Sequence, residues 1–221
     1  MKTILSIIYS KKVKYSLTLI TLLCIYVIVC AISYVHAVSS NIEQSVFRLH
    51  VLANSDSEED QNLKYIVRDN LIEYMNSLVN GTSSKDDVIS IANSHLEDFR
   101  TIAKQTILEN GYDYDVDVEI GNFDFPTKSY GDISLPAGPY DALRVKIGKA
   151  EGANWWCVMF PPLCFVNISS GVVPEESKEY MRNELSDEEY DLISNKDSAD
   201  IQFKFKLIEW LQNSDILTAK K

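Results

Sequence analysis

Within seven residues, Asn54-Ser55-Asp56-Ser57 and Asp60 gather an amide, two hydroxyls and two carboxylates, between a run of alternating apolar residues and a helical one. Where a strand end faces a helix N-terminus, free backbone N–H groups and the positive end of the helix dipole draw anions and reactive groups. The same residue types also cap helices. Asp56 or Ser57 suits the cap position, and Glu59 or Asp60 can reach back to it. Capping therefore accounts for the turn without chemistry. Arg68 and Asp69 fit either a surface pair or a brace for that turn.

A second constellation runs from Asn154-Trp155-Trp156-Cys157 to Cys164. Adjacent tryptophans on a strand point to opposite faces, so one can lie in a core while the other anchors a partner. A strand this apolar equally fits two buried rings. Cys157 and Cys164 are the cysteines outside the N-terminal apolar run. The six residues between them include Pro161-Pro162, which excludes CxxC redox geometry and permits a loop-closing disulfide. His50 and His95 sit at no spacing typical of zinc, and no GxSxG elbow, phosphate loop or GxGxxG occurs. The plentiful carboxylates leave an acid–base pair open but single none out. No catalytic residue, metal or cofactor is expected.

The elements that would position these groups can be read from periodicity. Phe47, Leu49 and Val51 alternate with Arg48 and His50, predicting a half-buried strand with those two polar side chains on its wet face. Leu63, Val67, Leu71, Tyr74 and Leu78 then recur at three and four residues, predicting an amphipathic helix. A second helix is expected from a Ser84 cap through Val88, Ala92, Leu96, Phe99, Ala103 and Ile107 to a stop at Gly111. Tyr112 to Ile120 alternates apolar and acidic residues, a strand whose carboxylates line the wet face rather than a cation site. Gly121-Asn122 should end it, and Pro126, Pro136 and Pro139 limit the segment up to Tyr140 to short or edge pieces. Leu143 to Ile147 and Trp155 to Phe160 read as the two arms of a hairpin turning at Gly148 to Gly152. Pro174 to Asn195 reads as helical, with a last strand at Asp200 to Leu207 and a short helix at Glu209 to Asn213.

Leu17 to Val38 is free of formal charge, and a helix of that length spans roughly 33 Å, enough for a hydrocarbon core of about 30 Å. Lys2, Lys11, Lys12 and Lys14 precede it, so the positive-inside rule sends Ser39 onward across the membrane. Val35-His36-Ala37 suits a cleavage site, yet the apolar run exceeds an ordinary signal, so anchor and cleaved signal both stay open. From Asn41 onward 17 basic residues face 32 acidic ones, a net charge of −15, which argues against nucleic acid as a partner. The expected organisation is a basic cytoplasmic region at 1–16, a signal or transmembrane segment at 17–38 and an extracytoplasmic domain at 41–221. Its expected fold class is α+β, one domain with a mostly antiparallel sheet packed against helices.

Two long literal blocks carry a resemblance. LHVLANSDSEEDQNLKYIVRDN, ending at Asn70, and LPAGPYDALRVKIGKAEGANWWCVMFPPLCFV, from Leu135 to Val166, resemble the stage II sporulation protein R family of endospore-forming bacteria. The resemblance implies a signal made in the forespore, exported into the space facing the mother cell, and triggering there a membrane-embedded aspartic protease that processes the sigma-E precursor. It implies a partner protein rather than a small-molecule substrate. The residues expected to meet that partner are Asn54, Ser55, Asp56, Asp60, Arg68, Trp155 and Trp156. An extracytoplasmic hydrolase acting on envelope material is the alternative, and it requires Asn54, Asp56 and Arg68 to converge in a pocket with a second carboxylate.

Overall fold

The computed structural model describes residues 11–79, 84–163 and 173–194. Helix α1, Lys11–Ser45, opens the chain as one continuous helix of 35 residues. Its Val13–Ala31 stretch has a mean hydropathy of 2.1 and is long and apolar enough to cross a membrane. Its last turns belong to the domain, because Val38, Ser39, Ile42 and Ser45 are buried. The apolar segment and the domain therefore share a helix, with no linker between them, and the core begins at Val38, before the expected boundary at 41.

After Val46 the chain enters β1, Phe47–Leu52, and then α2, Glu58–Leu78. Ser57 caps α2, its hydroxyl accepting from the Asp60 N–H at 3.2 Å. Leu63, Val67, Leu71 and Met75 form the buried stripe. Each such side chain contributes about 1.5–3 kcal/mol by leaving water. The expected second helix is two, α3 (Lys85–Ser94) and α4 (Leu96–Glu109), broken at His95. His95 Nδ1 lies 2.8 Å from Asp98 Oδ2 and 3.0 Å from the Tyr74 hydroxyl, which holds the ring at the break. Val88, Ala92, Phe99, Ala103 and Ile107 are buried as the stripe requires.

Strands β2 (Val116–Phe125), β3 (Lys128–Tyr130), β4 (Ile133–Leu135), β5 (Gly138–Ile147) and β6 (Asn154–Phe160) come next, then α5 (Glu175–Glu184) and α6 (Asp187–Ile193). Two expectations about β2 change. It starts four residues later than the alternation implies and runs through Gly121-Asn122, pairing with β5 from Val116↔Ile147 to Phe125↔Gly138. Pro139 is tolerated opposite Asp124 because β1 reaches only as far as Ala142, so the other side of β5 has no strand ladder to break there. The acids do line the wet face, with Asp113 on Lys104 at 2.8 Å and Glu119 on Arg144 and Lys146, each at 2.6 Å.

The larger sheet has the order β2-β5-β1-β6. β1 is parallel to β5 and antiparallel to β6, and β2 is antiparallel to β5, so the sheet is mostly antiparallel and the fold is α+β. β5 and β6 are therefore not a hairpin. They are antiparallel, as the turn signal implies, but β1 lies between them and their connection crosses its end. β1 is consequently central and covered on both faces, so Arg48 and His50 are buried rather than wet, 0% and 6% exposed. One face packs under α2, α3 and α4. The other packs under the end of α1, the β3–β4 pair, α5 and α6. α6 begins with a capping box between Ser186 and Glu189. The strand and helix expected beyond Asn195 lie outside the described residues.

Candidate binding groove

The polar turn is a latch. Asp60 Oδ2 accepts from Asn54 Nδ2 at 2.8 Å and from the Ser55 hydroxyl at 2.6 Å. Asn54 Oδ1 accepts the Lys149 N–H at 3.0 Å, and Asp56 Oδ1 accepts the Ala153 N–H at 2.7 Å. Gly152 N–H adds a bond to Ala53 O, and Gln61 Nε2 one to Ser55 O. These bonds fasten the connection between β5 and β6 over the end of β1. That connection needs its glycines: Gly148 has φ +57, and a Cβ on Gly152 would collide with the Ser55 carbonyl. Burial acts to raise the Asp60 carboxyl, but hydrogen bonds from Ser55, Asn54 and Tyr114 outweigh it and hold it below the usual carboxylate range. Asn54, Ser55, Asp56 and Asp60 thus spend their polar atoms on one another and on the loop.

Arg68 and Trp155 do come together, in a groove of about 610 Å³ between α2 and β6. Gln61, Lys64, Tyr65 and Arg68 recur at helical spacing along one side of α2, and Ala153, Asn154, Trp155 and Cys157 lie across from them. The Arg68 guanidinium lies 4.3 Å from the Trp155 ring centre and 5.0 Å from that of Tyr65. Those two rings meet edge to face at 5.3 Å. Arg68 also pairs with Asp69 at 2.7 Å, so of the two roles open to it the surface pair is the one it takes. Lys64 Nζ donates to Gln61 Oε1 at 2.5 Å and Ala153 O at 2.9 Å. Burial and then the neighbouring Arg68 charge push the Lys64 ammonium below the usual lysine range. Lys128 and Tyr130 close the far wall. Among the described residues no carboxylate lines the groove, and Asn54 and Asp56 stand outside it.

Trp156 turns to the opposite face of the sheet. It stacks on His50 at 3.7 Å and 14° and meets Phe125 edge to face at 4.6 Å. Both tryptophans are half-buried, each against its own face. His50 Nε2 lies 2.9 Å from Asn154 Oδ1, and burial, ahead of the nearby cations Arg144, Arg48 and Lys146, lowers its pKa to about 4. Residue type alone does not mark Lys64, Tyr65, Lys128 and Tyr130 as groove residues. The spacing of Lys64, Tyr65 and Arg68 on α2 is the available signal. Lys128 and Tyr130 give none, because they reach the groove through a separate strand pair. No group of His, Cys, Asp and Glu suited to a metal occurs among the described residues. Cys157, buried on β6, is disulfide-bonded, while Cys24 and Cys30 in α1 are free. The expected partner, Cys164, lies outside the described residues.

The fold and groove define a class: an α+β domain continuous with a helix apolar enough to cross a membrane, bearing a cation-lined aromatic cleft. Residues 43–170, which include the latch and the groove, match the model of the Stage II sporulation protein R family, and the chain belongs to that family. It is 34% identical over 184 residues to Stage II sporulation protein R of Bacillus subtilis (strain 168), covering 78% of this chain and 82% of that relative. No solved structure matches it.

Proposed function

We propose that this chain is an exported sporulation signal, made in the forespore, that activates a mother-cell membrane aspartic protease and so starts processing of the sigma-E precursor. The observation that carries the reading is the 34% identity, over most of both chains, to a stage II sporulation protein R. The lysines ahead of the apolar part of α1 and the acidic domain behind it support export with the domain outside. A groove lined by cations and aromatic rings suits binding. The hydrolase alternative gains nothing from the geometry, since Arg68 does not meet Asn54, Asp56 and a second carboxylate in one pocket.

Co-expression of the full chain with its cognate protease and the sigma-factor precursor in a non-sporulating host tests this directly. Processing is expected only when the chain is present and exported. Processing that is indifferent to the chain rejects the signalling reading. A reporter active only in the cytoplasm, fused after Lys221, is expected to be silent, and full reporter activity reverses the topology.

A further inference from the structure

Among the described residues most surface cations of the domain pair with a carboxylate. Lys85 pairs with Asp141 at 2.7 Å, Lys178 with Asp132 at 2.6 Å, Arg144 with Glu119 at 2.6 Å and Arg182 with Glu175 at 2.9 Å. The groove between α2 and β6 departs from this rule. Lys64 is satisfied by neutral oxygens, Lys128 is exposed and forms no ion pair among the described residues, and Arg68 meets only Asp69, which faces water at 57% exposure. Lys64 and Arg68, one helical turn apart, repel each other. A domain carrying −15 has thus gathered three cations around one recess with no acid among the described residues that line it, Asp56 and Asp69 acting on it only from outside the walls. Such an arrangement stores a positive potential that an incoming anion relieves.

We propose that this groove is the surface that contacts the receptor, and that its occupant is an extended acidic segment of the receptor's exposed part. The proposal rests on the signalling reading above. Carboxylates of such a segment would pair with Arg68 and Lys128, while its apolar side chains lie on Trp155, Tyr65 and Tyr130. Aromatic and arginine side chains in a recess are the groups that dominate protein interfaces. An anionic membrane is the weaker fit, because Lys64 and Arg68 are recessed and an acidic domain is repelled by lipid phosphates. The groove also lies away from the point where α1 docks. Glu43 packs at Gly138, where β5 starts, whereas Asn154 and Trp155 pair with Leu52 and Val51, where β1 ends.

The test uses the full chain in the co-expression system, comparing wild type, the double variant Arg68→Glu/Lys128→Glu, and Lys149→Glu, which makes a like charge change on the exposed β5–β6 connection. Folding of each solubilised variant is checked by thermal melting, with Arg68→Gln/Lys128→Gln substituted if charge reversal prevents folding. Loss of two charged contacts is expected to cut processing about tenfold or more, with Lys149→Glu within about twofold of wild type. Wild-type processing by both groove variants overturns the groove while leaving the signalling reading intact. No processing by wild type itself sinks that reading and the groove with it. Capture of the solubilised protease in neutral detergent distinguishes the lipid source. Groove-dependent capture without lipid supports the proposal, and groove dependence that arises only when phosphatidylglycerol is added overturns it.

Discussion

Arg48 is fully buried, and its Nη2 donates to the Tyr130 hydroxyl at 2.6 Å. Among the described residues its Nε and Nη1 find no acceptor, and the guanidinium is caged by Phe125 at 4.0 Å and Tyr140 at 4.6 Å. Tyr130 passes the bond on to Trp156 O at 3.2 Å, so β1, β3 and β6 are joined through one buried cation. Cation–π contact offsets only part of the desolvation of an unpaired charge.

Replacing Arg48 with an apolar residue of similar length should therefore cost little. Arg48→Met is expected to leave stability within about 1 kcal/mol of wild type, or to raise it, as for other buried charges exchanged for hydrophobes. Tyr130→Phe strands the cation and is expected to cost about 1–3 kcal/mol. Urea unfolding of both variants checks the pair. A loss above roughly 3 kcal/mol in Arg48→Met shows that the cage depends on the charge.

The latch gives a sharper test, because Asn54 donates to one carboxylate and accepts from a backbone amide through the same side chain. Asn54→Asp keeps the acceptor for Lys149 N–H and turns the donor into a second carboxylate against Asp60. Two carboxylates in hydrogen-bond range cannot both ionise cheaply, so the pair holds a proton well above the usual range. The variant should be destabilised by about 2–3 kcal/mol at neutral pH and should recover part of that as pH falls towards 5. Thermal melts at the two pH values decide it. Equal losses at both would show that shape, not charge, fixes the turn.

Much of this framework was legible. The helix cap, the α2 stripe and the acidic wet face of β2 follow from side-chain type and period, and each forms as local physics requires. What failed was position in the sheet. Alternation at Phe47 to Leu52 shows two faces but not what covers the second, so Arg48 and His50 read as wet. Likewise, the turn at Gly148 to Gly152 specifies antiparallel neighbours but not that β1 lies between them. The groove was half visible: Arg68 and Trp155 stand out by type, but only the fold brings them together and adds Lys128.

Glu43, on the turn of α1 that docks against Gly138, supplies a pH prediction. Burial first, then the Asp124 charge, raises its carboxyl to about 7, against the opposing pull of Lys85, whose ion pair goes to Asp141. The folded state thus keeps a proton that the unfolded chain releases near 4.5, and this contribution to stability is lost as pH rises from 4.5 to about 7. His50 works the other way. Its folded pKa of about 4 lies below 6.5, so its contribution is present above 6.5 and lost as pH falls towards 4. Glu43→Gln is expected to match wild type near pH 5 and to exceed it by about 1–2 kcal/mol near pH 8. With Glu43 gone, stability should climb with pH through the His50 range. A variant whose melting temperature tracks wild type at every pH would show that Glu43 carries no buried proton.

Cys157 sits opposite Leu49 in the β1–β6 ladder, on the strand that floors the groove. Cys157, in the middle of that strand, is disulfide-bonded, and Cys164, outside the described residues, is the expected partner. The export proposed above would favour the bond, since an extracytoplasmic compartment lacks the reducing systems of the cytosol. A loop this short limits the gain to about 2–3 kcal/mol through restriction of the unfolded chain. The test is made in a Cys24→Ser/Cys30→Ser background, because those two thiols are free and would take label themselves. Denatured, unreduced protein is expected to take up no thiol reagent, and reduced protein two equivalents. Cys164→Ser should then lower the urea midpoint and leave Cys157 labelled in the denatured chain. Quantitative labelling of both cysteines before reduction rules the pairing out, and an unlabelled Cys157 in the Cys164→Ser variant assigns it a different partner.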